Sequence, residues 1–128
     1  MIKKTITVEG RDVTLASSGY LPFFYREKIG RDLVKDMSRL MAGYKKLMAI
    51  PEDAPEEERM AAQLDIVDLQ TFADVAWIMQ KYAGEDVGNS TREWLESLDG
   101  AFTIIQVMPT VQELWNITNK TTAVPAKK

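Results

Sequence analysis

Neither cysteine nor histidine occurs anywhere in the 128 residues. Without thiolate or imidazole the chain can supply no zinc-finger ligand set, no Cys–His pair and no Ser–His–Asp triad. Disulfides are excluded as well, which fits a reducing compartment. An excess of charge of one sign is also missing. Sixteen basic against 19 acidic residues leave a net charge of -3, too weak and of the wrong sign to draw in a phosphate backbone. No apolar run approaches the ~18 residues that span a bilayer, and Thr5, Thr7, Glu9 and Gly10 interrupt any export-signal core after Met1-Ile2-Lys3-Lys4. Glycine-rich phosphate fingerprints are absent. Lys45-Lys46 and Lys127-Lys128 are too short for a nucleic-acid footprint. The Asn-X-Ser/Thr triplets at Asn89, Asn116 and Asn119 read as accidental, without a secretory signal. Together these absences point to a protein made and used in a cytoplasm, with no cofactor, metal, nucleic acid or membrane.

What is present suits one globular domain over residues 1–120, followed by a flexible tail over 121–128. The length allows burial of roughly two thirds of the unfolded chain's surface. Residues 2–16 alternate as two strands around a Glu9-Gly10 turn. A two-residue loop would pair Ile6 with Val13, and a four-residue loop would pair Val8 with Val13; both keep the apolar side chains on one face. From Leu21 the period becomes helical, with Pro22 in a first turn and Gly30 at a break. Leu33, Met37, Leu40, Met41, Tyr44, Leu47 and Met48 form one stripe of a second helix, read as core. Pro51 and Pro55 end it, and Glu56, Glu57 and Glu58 favour the start of a third helix running to Tyr82. The second half of that helix is apolar on every side, as at the centre of a fold or an interface. Ser90-Thr91-Arg92-Glu93 is a capping box for a short helix ended by Gly100. Residues 101–108 read as helical, Pro109 as an interruption, and Thr110 as the cap of a last helix to Asn119. The expected class is α+β, predominantly α: an N-terminal hairpin (2–16) packed on a helical body (21–119) of about five helices.

Candidate chemistry is thin. Asp65 and Asp68 are three residues apart and could share a helix face, but no second ligand cluster accompanies them, so a solvated face is the expectation. Asp74 lies close to the apolar stripe, which predicts a buried ion pair with Arg26 or Arg31. Seven methionines and three tryptophans suggest an adaptable apolar surface. Trp94 and Trp115, near helix ends, are candidate contact residues; Trp115 suits core or interface equally. The stretch from Tyr20 to Leu33 is too aromatic for a solvated linker and carries no catalytic signature. The chain reads as a binding protein and not an enzyme.

A hairpin, then Tyr25-Arg26 and Gly30-Arg31-Asp32-Leu33, an acidic Pro/Glu connection, Ala76-Trp77-Ile78-Met79, Trp94-Leu95, Leu114-Trp115-Asn116 and a Thr/Lys-rich end follow one another in this order. In that succession the chain resembles the tail assembly chaperones of long-tailed bacteriophages infecting Gram-positive bacteria. The resemblance implies a non-enzymatic protein of the host cytoplasm that binds the tape measure protein, keeps it soluble and helps recruit major tail (tube) protein subunits. It also implies absence from the mature virion. Many such proteins have a longer form made by programmed frameshifting, a further partner, and residues 121–128 are compatible with the short form. The expected contacts, of helix-in-groove type, fall on Tyr20, Phe24, Tyr25, Trp94, Leu114 and Trp115. The competing readings are a structural tail component, such as a completion or connector protein, and a small helical regulator that binds nucleic acid.

Overall fold

The structure is a computed structural model that describes residues 1–8, 10–61, 66–98 and 104–123. Strands β1 (Ile2–Val8) and β2 (Arg11–Ser17) precede helices α1 (Leu21–Ile29), α2 (Leu33–Met48), α3 (Glu56–Ala61), α4 (Ile66–Tyr82), α5 (Thr91–Glu96) and α6 (Ile104–Ala123). The fold is therefore α+β and mostly helical. No helix among the described residues is long and apolar enough to cross a membrane.

Ile6 pairs with Val13 and Val8 with Arg11 in an antiparallel ladder, which selects the two-residue loop. Gly10 sits at φ 74°, in the left-handed region that tight hairpin loops favour and that costs glycine nothing. The register puts Val8, Val13 and Leu15 into the core, with Ile6 packed at its margin. The hairpin lies against helices, as a two-stranded sheet must to be stable: β2 packs on α4 and α6, and β1 on α6.

Pro22 falls in the first turn of α1, where its missing N–H is no loss. Gly30, at φ 87°, closes that helix by donating its N–H to the Arg26 carbonyl at 2.9 Å. Two residues later Asp32 begins α2, its carboxylate accepting from the N–H groups of Val34 and Lys35. The stripe expected on α2 is core for Leu33, Met37, Leu40 and Tyr44. Met41 and Leu47 are only half-buried and Met48 is exposed.

Helix α4 is the centre. Every residue from Thr71 to Gln80 is buried, and the helix touches β2, α1, α2, α5 and α6. Of the single helix expected from Pro55 to Tyr82, residues 62–65 lie outside those described, as does Gly100 further on.

One expectation fails outright. Pro109 does not interrupt the chain; α6 runs through it from Ile104 to Ala123, so Thr110 caps nothing and residues 121–123 of the expected tail are helical. An interior proline costs about 3 kcal/mol. Val107, Met108, Val111 and Leu114 are fully buried on one stripe that crosses the proline in helical register, and each such side chain contributes about 1.5–3 kcal/mol on burial. The stripe outweighs the missing hydrogen bond.

Candidate functional site

The most connected polar groups lie where the α1–α2 elbow meets α4. Arg31, in the elbow, donates through Nε to Asp36 Oδ2 at 2.9 Å and through Nη2 to Asp74 Oδ2 at 2.7 Å. The same Nη2 reaches the Tyr25 hydroxyl at 3.1 Å, and that hydroxyl donates to Asp36 at 2.5 Å. The other oxygen of Asp74 accepts from Thr91 Oγ1 at 2.7 Å and from Gln70 Nε2 at 3.0 Å. Of the two partners anticipated for Asp74, Arg31 is the one used. Burial, and then the hydrogen bond to Asp36, push Tyr25 ionisation well above its ordinary range. Partial burial works against the Arg31 charge, yet its bonds to Asp74 and Asp36 more than compensate and raise its pKa.

This cluster contains two carboxylates, but it is arranged as a clasp. Both oxygens of Asp74 are occupied by donors, its side chain is only 7% exposed, and the bonds join α1, α2, α4 and α5. Asp68 likewise departs from the solvated face expected of it: it pairs with Arg39 of α2 at 2.5 Å, while Asp65 lies outside the described residues. Among the described residues no group of three or more acidic side chains is placed to hold a metal ion.

Contact surface, in contrast, is plentiful around α1. Tyr20 and Phe23 are 48% and 64% exposed, and their rings stack with centroids 5.8 Å apart. Phe24, half-buried, tilts against Tyr82 at 5.3 Å, and Tyr82 is tied to Ser18 by a 2.5 Å hydrogen bond. The Tyr20 hydroxyl donates to Glu27 at 2.7 Å; that bond raises its pKa and fixes the ring at the head of the helix. A shallow apolar groove of about 610 Å³ lies elsewhere, between the C-terminal half of α2 and α6, with Met41, Tyr44, Met48 and Gln112 among its lining residues.

The six residues expected to make partner contacts therefore divide. Tyr20 and Phe24 belong to the aromatic ridge. Tyr25, Trp94, Leu114 and Trp115 are at most 7% exposed and belong to the core, so in this conformation they present no surface. Trp94 turns inward because Thr91, one helical turn before it, is bonded to Asp74 beneath; Trp115 continues the buried stripe of α6. Phe23, within the aromatic stretch that begins at Tyr20, is the most exposed of its rings: with Leu21 and Tyr25 turned inward one helical turn apart, the residue midway between them points outward. Met48 has the helical phase of the α2 core stripe, yet it is exposed. No model of a known protein family, no curated protein and no solved structure matches this chain.

Proposed function

We propose that the protein is a tail assembly chaperone of a long-tailed bacteriophage, holding the tape measure protein soluble in the host cytoplasm and helping to bring tail tube subunits to it. The observation that carries this reading is the exposed Tyr20–Phe23 stack. Two large rings stacked on each other at a helix end, one of them bonded to Glu27, form a contact anchor. The Met41–Met48 groove offers a second, deformable apolar surface. A tape measure protein exposes long apolar helical stripes before assembly, and such surfaces suit it. The polar clasp is compatible with the same reading, because its charges hold the body together beneath these surfaces.

Co-expression with the tape measure protein tests the reading directly. The expected result is co-purification and retention of the tape measure protein in the supernatant, both lost in a Tyr20→Ala/Phe23→Ala double variant that keeps its thermal transition. Presence of the chain at fixed stoichiometry in purified virions would instead mark a structural tail component.

A further inference from the structure

From the hairpin edge we infer that the protein self-associates through β1, two copies pairing their first strands antiparallel about a two-fold axis at Thr5 to give a four-stranded sheet. The ladder decides which backbone groups are available. With Val8 opposite Arg11 closing a two-residue loop, the Val8–Arg11, Ile6–Val13 and Lys4–Leu15 pairs exchange backbone hydrogen bonds, and the alternate pairs Thr7–Asp12, Thr5–Thr14 and Lys3–Ala16 do not. The N–H and C=O groups of Thr5 and Thr14 therefore point away from the partner strand. On the β2 side that direction is closed: the Thr14 N–H donates to Glu85 Oε1 at 3.1 Å. On the β1 side the corresponding groups of Lys3, Thr5 and Thr7 take no hydrogen bond from any described residue. All three residues are exposed. The strand is seven residues long and carries no proline or bulge along its ladder, so only its lysines blunt it as a template for pairing.

A second copy fits this edge in one register. Centred on Thr5, antiparallel pairing puts Thr5 opposite Thr5, Lys3 opposite Thr7, Lys4 opposite Ile6 and Ile2 opposite Val8, so no lysine faces a lysine. Each Lys3 then lies beside the Thr7–Asp12 pair of the other copy, where Thr7 Oγ1 already donates to Asp12 at 3.1 Å, and the ammonium gains a carboxylate neighbour. On the inner face the aliphatic stem of Lys4 covers Ile6, which the single chain leaves half-buried. The contact is isologous and closes at two copies.

Because the chain has no cysteine, a single Thr5→Cys substitution reads the arrangement. Across the axis the two Cα atoms would be about 5.5 Å apart, within disulfide range. Mild oxidation of dilute protein should give a cross-linked dimer from Thr5→Cys and monomer from Arg92→Cys, an exposed position away from the strand. Sedimentation of the unmodified chain should show a monomer–dimer equilibrium, weakened about tenfold by Thr5→Lys, which sets like charges face to face, with the thermal transition of the monomer retained. A monomer at all concentrations, cross-linking no faster than the Arg92→Cys control, or association indifferent to Thr5→Lys would each overturn the inference. None of these outcomes depends on tape measure binding.

Discussion

Helices α4 and α1 are neighbours, both rich in aromatic and apolar side chains, and the fold treats them in opposite ways. In α4 every residue from Thr71 to Gln80 is enclosed, and the polar groups there are met from within: Trp77 Nε1 donates to the Val87 carbonyl at 3.0 Å, Gln80 Nε2 to the Ala76 carbonyl at 3.2 Å, and Asp74 is held by Arg31, Gln70 and Thr91. In α1 only Leu21 and Tyr25 go inward, and the remaining aromatics stand at or near the surface. Enclosure by five other elements settles α4 as structure. Partial enclosure leaves α1 with rings that a partner can use. The distinction is drawn by packing, since composition alone makes both helices look like core.

The comparison breaks most visibly at Trp77. Its ring is buried with its N–H satisfied and Lys81 Nζ 5.4 Å from its centroid. Trp77→Ala is expected to destabilise the fold by about 3–5 kcal/mol, the usual cost of truncating a buried aromatic, read as a fall in the denaturation midpoint. The clasp comes next. Asp74→Ala leaves Thr91 and Gln70 without this acceptor and Arg31 with Asp36 as its one carboxylate partner beside the Tyr25 hydroxyl. Severing a fully buried pair costs about 3–5 kcal/mol; Arg31 is 43% exposed, and water can replace part of the loss, so about 2–3 kcal/mol is expected. Urea titration of the variant measures it.

A smaller effect should appear in alkali. Tyr25 is held neutral by burial and by Asp36, so its folded-state pKa lies above the unfolded value. The stabilisation is complete below the unfolded pKa of about 10 and declines as pH rises past it, by about 1.4 kcal/mol per pH unit for one proton, because the unfolded chain ionises where the native one resists. Unfolding free energy measured between pH 9 and 11 should therefore fall more steeply for the parent than for Tyr25→Phe. Equal slopes would mean that Tyr25 is not the group responsible.

Much of the frame was legible before the structure, for local reasons. Apolar alternation set the hairpin face, Gly30 and Asp32 carried their own backbone and capping chemistry, and an aspartate beside an apolar stripe had to find a cation. What local sequence left open depended on distant packing. Pro109 is a helix breaker in isolation, and only the buried stripe on both sides of it shows why the helix continues. Trp94 and Trp115 have the composition of contact residues, but Asp74 under Thr91 and the core beside Leu114 draw them inward. For Met48 the opposite holds: it keeps the helical phase of a core residue and is nonetheless exposed at the end of α2. Phase is written locally, while depth is decided by whatever arrives from elsewhere in the chain.

The smallest expected change in stability is the one on which the contrast between the helices rests. Phe23 is 64% exposed and its ring stacks on Tyr20, so Phe23→Ala should alter unfolding free energy by no more than about 0.5 kcal/mol, as for other surface positions. Tyr20→Ala removes the bond to Glu27 as well, an exposed contact whose loss water makes good. Both variants should melt with the parent protein. If α1 displays its rings for a partner, the same two substitutions must lower affinity for the tape measure protein at least tenfold, the behaviour of a central aromatic anchor, while Trp77→Ala lowers it only in proportion to the fraction unfolded. Titration calorimetry on the folded variants separates the two cases. A loss of stability without a loss of affinity at Phe23 would place the ring in the core's service, and the contrast between α1 and α4 would collapse.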